Sequence, residues 1–442
     1  MSGTMAEVTD RIGNYLEQFA QFEKSPGVRS SWVHPLRQEA MQRFSERGFP
    51  DTPGKHDEEW RFTSVAPLLG TSFAPAPRVD GATATLDRFR VGGAVRVVFI
   101  NGHYSEKHSS LESLPGGAIV GSLGEALEAH RGLVEPHLAR YSRYQENPFA
   151  ALNTAFLSEG AFVYLPKGSA VEAPIELLFL SMPGESPAVT HLRNLVIMEA
   201  ESQARVIESY GGADHPAYFM NAVTEVVVGE SANLDHYKLQ RESQTAFHIA
   251  SLQFHLDRSA ALSTLSISLG GGLVRNDINA VLDGEGCDLA LNGLYVVGGE
   301  QHVDHHTLID HAKPHGTSRE LYKGILSDRS RGVFNGRIIV RKDAQKTDAK
   351  QTNRNLLLSD EALVNTNPQL EINADDVKCA HGATIGQLDA DVLFYLRSRG
   401  IDVETARHLL TYGFMSDISE RIKVDAIRAE LERVLFANLP GR

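Results

Sequence analysis

The 442-residue sequence predicts a mainly β protein, a right-handed parallel β-helix wound as a solenoid, with helical regions before and after it. Repetition is the first reason. From residue 146 onward the chain breaks into short β-rich pieces separated by Gly, Asn and Asp, and four similar junctions end at Ala204, Ala232, Ala260 and Cys287. They recur about every 28 residues, inside the range that marks stacked structural repeats. Alternating apolar residues follow the junctions, as in Leu262, Leu265 and Ile267, so strands rather than helices fill the period. The second reason is the scarcity of helical periodicity from 160 to 385, where a doubly wound sheet would need a helix in every crossover. Parallel strands joined in this way cross over with a right hand.

The chain divides into a helix-rich region over 1–145, a β-helix over 146–389 and a helical domain over 390–442. In the first region Ile12, Leu16 and Phe19 are spaced for a helix, with Thr9 or Asp10 as its N-cap. Leu36, Ala40 and Phe44 line a second helix that Gly48 stops. The Pro- and charge-rich linker FPDTPGKHDEEWRFT follows, in which Trp60 reads as buried beside solvated acids. Residues 95–102 read as a strand and SLGEALEAH as a short helix. Within the β-helix, Asn353, Asn355, Asn365, Asn367 and Asn373 are expected at corners, where amide side chains stack into ladders. Beyond Asp389, Leu393 and Leu396 mark a helix stopped by Gly400, and Asp402 caps the next, with Val403, Ala406, Leu409 and Leu410 on one face. A third carries Ile418, Ile422, Ile427, Leu431 and Val434. Helices at both ends would cover the strand edges that a solenoid otherwise leaves unpaired.

Composition narrows the class. With 42% hydrophobic and 22% charged residues the chain suits a water-soluble protein of two or three domains. A net charge of -13 argues against nucleic acid or an anionic membrane as a partner, since either would repel it. The two cysteines, Cys287 and Cys379, lie too far apart in sequence for a disulfide framework, and a reducing cytoplasm is the expected location. The N-terminal residues lack the basic start and apolar run of a secretory signal and the Arg-rich character of a transit peptide. No apolar run approaches the roughly 18 residues of a membrane span.

Common enzyme signatures are missing: there is no G-x-x-x-x-G-K-[ST] loop, G-x-G-x-x-G fingerprint, G-x-S-x-G elbow or H-E-x-x-H helix, and Gly270-Gly271-Gly272 reads as a tight turn. Two stretches offer metal-binding side chains. In the first, Gln301-His302-Val303-Asp304-His305-His306 continues to Asp310, His311 and His315; His302 and Asp304 share a strand face, and with His311 returning nearby they would suit zinc or iron. A polar rung of the solenoid accounts for the same residues without metal. In the second, Cys379 stands two residues before His381, so on an extended strand thiol and imidazole project from one face. A thiolate is a natural ligand of iron and sulfide, and an imidazolium beside it would lower its pKa. One cysteine and one histidine fall short of the four ligands that a cluster usually takes, so the others must come from elsewhere. A packed thiol and a hydrogen-bonded imidazole form the competing reading. Cys287 stands where the other junctions have alanine and reads as core.

The wording around this pair resembles the SufB/SufD scaffold family of iron–sulfur cluster assembly, and within it the SufD branch. The words that carry the resemblance are Lys346-Thr347-Asp348-Ala349, the NRNLLLS run from Asn353, Pro368-x-Leu370-Glu371-Ile372, His381-Gly382-Ala383-Thr384 and Leu396-Arg397-Ser398-Arg399-Gly400. The EEWRFT word from Glu58, LNTAF from Leu152 and SRELYKGIL from Ser318 extend it. SufB-type chains lack the Cys-x-His-Gly-Ala-Thr word. The resemblance implies a non-catalytic subunit that pairs with a SufB-like homologous subunit and binds a SufC-like ABC-type ATPase through its C-terminal helices, the ATPase activity being the partner's. It implies no stably bound cofactor, but a transient iron–sulfur cluster at the interface of the two subunits. His381 matches the histidine that faces a cysteine of the SufB-like partner, and Cys379 matches the adjacent motif cysteine. Self-pairing of the isolated chain is a further expectation. Outside the family two alternatives stand: a β-helix enzyme acting on acidic polysaccharide, which needs a charged groove, and a stable His-rich metal-binding protein, which would copurify with metal.

Overall fold

The computed structural model describes residues 5–50, 58–79, 82–111, 114–182, 184–214 and 216–438; residues 51–57 of the Pro-rich linker lie outside the described residues. Fourteen strands from Ala188 to Gly386 wind into two parallel sheets. The chain alternates between the sheets, so each strand pairs with those two places away and never with its sequence neighbour. This is the parallel β-solenoid that the repeat predicts, with helices at the N- and C-terminal ends of the chain. Both sheets also extend upstream of residue 146. Val95–Ile100 pairs with Ile175–Ser181 in the second sheet, and Ile119–Ser122 pairs antiparallel with Ala161–Leu165 in the first. At the opposite end the first sheet stops on Leu363–Ile372 and the second on Lys378–Gly386.

Register in the second sheet explains the repeat. Asn233, Ala261, Asp288, Thr317, Asp348 and Lys378 lie side by side along it. Three of the junction residues, Ala232, Ala260 and Cys287, immediately precede the first three of these. The fourth is displaced: Gln203 pairs with Asn233, so Ser202 is the true counterpart of Ala232, and Ala204 pairs with Leu234 inside the strand. The corner one residue earlier is left-handed in every turn from Glu201 to Lys346, with φ of 63°, 57°, 57°, 73°, 60° and 64° at Glu201, Ser231, Ser259, Gly286, His315 and Lys346. Only one of the six is glycine. Single left-handed residues are tolerated at a corner where a whole strand ladder fixes the flanking backbone.

The asparagines do not sit where corner ladders would need them. Asn353 and Asn355 face the solenoid interior in mid-strand, where the Asn355 amide donates to Asn353 Oδ1 at 2.6 Å and the Tyr295 hydroxyl donates to Asn355. Asn365 and Asn367 lie in the middle of Leu363–Ile372, and Asn373 alone follows a strand end. Buried amides are tolerated in the interior because they pair with one another.

Inward columns of aliphatic residues, such as Leu234, Leu262 and Leu289, build the core, and Cys287 is buried among them, its thiol 3.1 Å from the Asp257 carbonyl. Burial of each such leucine contributes about 1.5–3 kcal/mol.

Helices cover the outer faces. On the first sheet, Phe44, Phe49 and Phe149 pack against Phe219, Val223 and Ile249. Phe44 and Phe149 come from helices His34–Arg47 and Pro148–Ala155 and Phe49 from the turn after Gly48, whose φ of 69° ends the second helix as expected, while Tyr15 and Phe19 of helix Met5–Phe22 join the same cluster. The first helix starts at Met5, which puts Thr9 and Asp10 inside it rather than at its cap. On the second sheet, Met415, Ile418, Ile427 and Leu431 bury against Tyr237, Leu239, Leu265, Leu294 and Leu321. Asp402 caps Val403–Ser419 as predicted, and Asp389 caps Ala390–Ser398 in the same way. Ile418 belongs to the end of the second of these and Ile422 to the following turn, before Asp425–Asn438. The C-terminal helices therefore lie along the flank of the solenoid instead of capping its last turn. The outer face of the second sheet is apolar over several rungs, and covering it removes that hydrophobic area from water.

Candidate functional site

The uncapped end is where Cys379 and His381 lie. Strand Lys378–Gly386 is hydrogen-bonded to Asp348–Leu357 on one side, and among the described residues no strand pairs with its other edge. Cys379 pairs with Ala349 and His381 with Gln351. Ala349 and Gln351 are both inward-facing and buried, so the cysteine and histidine continue the inward columns at the rung where no further turn covers them. The two side chains share a face, as their spacing predicts. His381 is exposed and Cys379 half-buried against the core.

The expected lowering of the thiol pKa is not realised in this chain. Burial pushes the Cys379 thiol up, the Ala349 backbone opposes this, and the Asp348 carboxylate raises it further. An exposed imidazole beside water does little to a thiol whose other neighbours are apolar or anionic.

Beneath His381 lies a pair of residues that sequence reasoning missed. Glu320, Gln351 and His381 are neighbours in one inward column on three adjacent strands. Gln351 Nε2 donates to Glu320 Oε2 at 2.7 Å, and burial pushes the Glu320 carboxyl up to about 7. Gln351 Oε1 and Glu320 Oε1 are buried without a hydrogen-bond partner. No signal in the sequence marked them, since carrying the period of about 28 back from His381 lands on Asn353, and only the strand register places Gln351 and Glu320 in this column.

The histidine-rich stretch forms a polar rung. His302–His311 is one continuous strand of the first sheet, so His311 does not turn back towards His302; it is buried, with Nε2 2.9 Å from the Ser318 hydroxyl. His305 is buried between Tyr295 and Tyr322, and burial pushes it down to about 3. His302 and Asp304 do share a face, but what they meet is the Thr63 hydroxyl, 2.9 Å and 2.5 Å away. His315 is a corner residue. Among the described residues no group of three or more His, Cys, Asp or Glu is arranged to hold a metal ion. Trp60 is buried, as expected, under the Arg275 guanidinium at 4.0 Å, and a cleft of about 710 Å³ opens beside it on the outer face of the first sheet. Two of the cleft's carboxylates are already paired, Asp277 with Arg275 and Glu146 with Arg143.

At the C-terminal helices, Phe394, Tyr395 and Leu409 are 72%, 54% and 49% exposed, so apolar surface is left over after the second sheet is covered. Of the face expected on the second helix, Ala406 alone is buried. Among the described residues no helix is long and apolar enough to cross a membrane.

Fold and site together define a parallel β-solenoid whose last rung carries a thiol and an imidazole on one face. Sequence comparison gives the class its name: the family described as SUF system FeS cluster assembly, SufBD core domain, matches residues 180–414, and the SufBD protein N-terminal region matches 10–177. The chain belongs to the SufBD family of iron–sulfur cluster assembly proteins. It is 31% identical over 437 residues to the iron–sulfur cluster assembly protein SufD of Escherichia coli K12, covering 97% of each chain. It is 36% identical over 394 residues to the SufBD family protein slr0076 of Synechocystis, 86% of each. The SufD protein of Bacillus subtilis is 26% identical over 437 residues, 95% of this chain and 96% of that one.

Proposed function

We propose that this chain is a SufD-type scaffold subunit, non-catalytic itself, that pairs with a SufB-like homologous subunit through its open strand edges. A SufC-like ABC-type ATPase docks on its C-terminal helices, and a nascent iron–sulfur cluster is held transiently at the subunit interface. The observation that carries this reading is the uncovered last rung with His381 on its inward face. A second solenoid adding strands to Leu363–Ile372 and Lys378–Gly386 would satisfy their unpaired backbone groups and bring a thiolate from the partner opposite the imidazole. Each hydrosulfide that becomes a bridging sulfide loses a proton, so His381 can serve as ligand or as proton acceptor. Cys379, with its thiol held protonated by burial, acts as a ligand only once the metal displaces that proton. Self-pairing of the isolated chain would use the same edges.

The test is paired. His381→Ala should leave the three-subunit complex intact on a sizing column while cutting cluster formation at least tenfold in cells that depend on this system. Because the side chain is exposed, its loss should change stability by no more than about 0.5 kcal/mol. Normal cluster assembly by the variant would return His381 to a structural role. Cys379→Ala separates a ligand from a packed thiol in the same assay.

A further inference from the structure

We infer that Gln351 and Glu320 are a built-in support for the His381 ring, with the Gln351 carbonyl oxygen accepting one ring N–H so that the other ring nitrogen is left for iron. This rests on the reading of His381 as an interface ligand, and it assigns two positioning residues that touch neither the partner nor the cluster.

Three observations carry it. Gln351 is the residue paired with His381 across the last two strands of the second sheet, in the same inward column. Its amide is committed on one side only: Nε2 donates to Glu320 Oε2 at 2.7 Å, whereas Oε1 is fully buried and unpartnered. The site also has room made for it, since a Cβ at Gly336 on the opposite sheet would collide with the Gln351 amide.

The other inward neighbours of His381 on the second sheet offer no comparable acceptor. Ala349 and Ala383 have none, and Asn353 is occupied, its oxygen by the Asn355 amide and its nitrogen by the Tyr322 carbonyl. Once a partner covers the edge, water no longer satisfies the His381 N–H, and the nearest uncommitted oxygen in its column is Gln351 Oε1. Metal-bound imidazoles characteristically donate their second N–H to a carbonyl, carboxylate or water, which fixes the tautomer and orients the ring. Glu320 fixes the fixer. By holding Nε2, it decides which end of the amide faces the last rung.

The experiment uses the assembled complex, with this chain alone labelled with ¹⁵N-histidine, and cobalt(II) as the metal probe. Ring nitrogen signals of His381, assigned by their loss in His381→Ala, should report a single tautomer in the parent and a mixture in Gln351→Met. Cobalt affinity should fall ten- to a hundredfold in Gln351→Met, the range found when an outer hydrogen-bond partner of a metal ligand is removed. If that variant assembles poorly, the double replacement Glu320→Met with Gln351→Met removes both the buried amide and the buried carboxyl and should give the same loss. Parental ring signals or parental cobalt affinity in an intact variant complex, with His381→Ala weakened, overturns the support role and leaves the interface site standing. If His381→Ala itself binds cobalt as the parent does, the interface site fails and this inference with it.

Discussion

Arg275 and Glu320 show how single buried charges are handled in this molecule. Arg275 is buried, donates to Asp304 Oδ2 and to the Glu59 carbonyl at 2.8 Å and 2.7 Å, and stacks on Trp60. The EEWRFT word is therefore a strap that a guanidinium fastens to the first sheet. Burial alone would push Asp304 up, but Arg275, His306 and Thr63 outweigh it and hold the carboxyl well below the usual range. Removing one partner of such a pair strands the other, so Arg275→Ala should cost about 3–5 kcal/mol in chemical denaturation. A loss below 1 kcal/mol would mean that the pair is hydrated and the strap loosely held.

Glu320 is the opposite case, a carboxyl with no cation beside it. Its ordinary value of 4.5 rises to about 7, with burial as the largest cause. The sign follows directly. Between these two values the folded state keeps the proton and the unfolded chain releases it, so stability falls as pH rises through the window and the full cost stands above pH 7. At about 1.4 kcal/mol for each tenfold in proton affinity, that cost is roughly 3 kcal/mol. Glu320→Gln should therefore be more stable than the parent above pH 7, with the difference closing towards pH 4.5. A pH-independent difference would show that Glu320 titrates normally.

At the scale of elements, the C-terminal helices have two faces with separate tasks. Ile418, Ile422, Ile427 and Leu431 are buried on the second sheet, so cutting the chain near residue 400 would expose that apolar face and destabilise the solenoid as well as any docking. Phe394 and Tyr395 are free of that burden. Replacing both with serine should alter stability by no more than about 0.5 kcal/mol and lower capture of the ATPase at least tenfold. Undiminished capture in a pull-down would move the docking surface elsewhere. The edge strands follow the same logic: Leu363, Ile372 and Ile385 are 52%, 43% and 48% exposed on the last rung, a placement that favours a partner.

For the whole molecule, stacking implies graded local stability. Each interior rung has two neighbours and the last has one, so opening should start at the uncovered end. In hydrogen exchange of the isolated chain, amides of 363–372 and 378–386 should exchange fastest among the solenoid strands. On complex formation they should slow at least tenfold. Uniform protection along the solenoid, or no change on complex formation, would refute the open-edge account.

The sequence by itself determined the solenoid, because a period repeated in residue type needs no knowledge of contacts to be seen. The same holds for the helix cap at Asp402 and for the shared face of Cys379 and His381, both of which depend on spacing within one element. Tertiary structure decided what depends on register between elements. The chain holds Ala204 and Ala232 in similar words, yet a small difference in corner length aligns Ser202 with Ala232 instead. The same pairing placed Asn353 and Asn355 inside the solenoid, set His311 apart from His302, and put Gln351 and Glu320 behind His381. It also left the last rung open, since the C-terminal helices pack on the apolar flank of the second sheet. Local spacing is written in consecutive residues, whereas register and layer packing are set by competition among surfaces that meet only after the chain has wound.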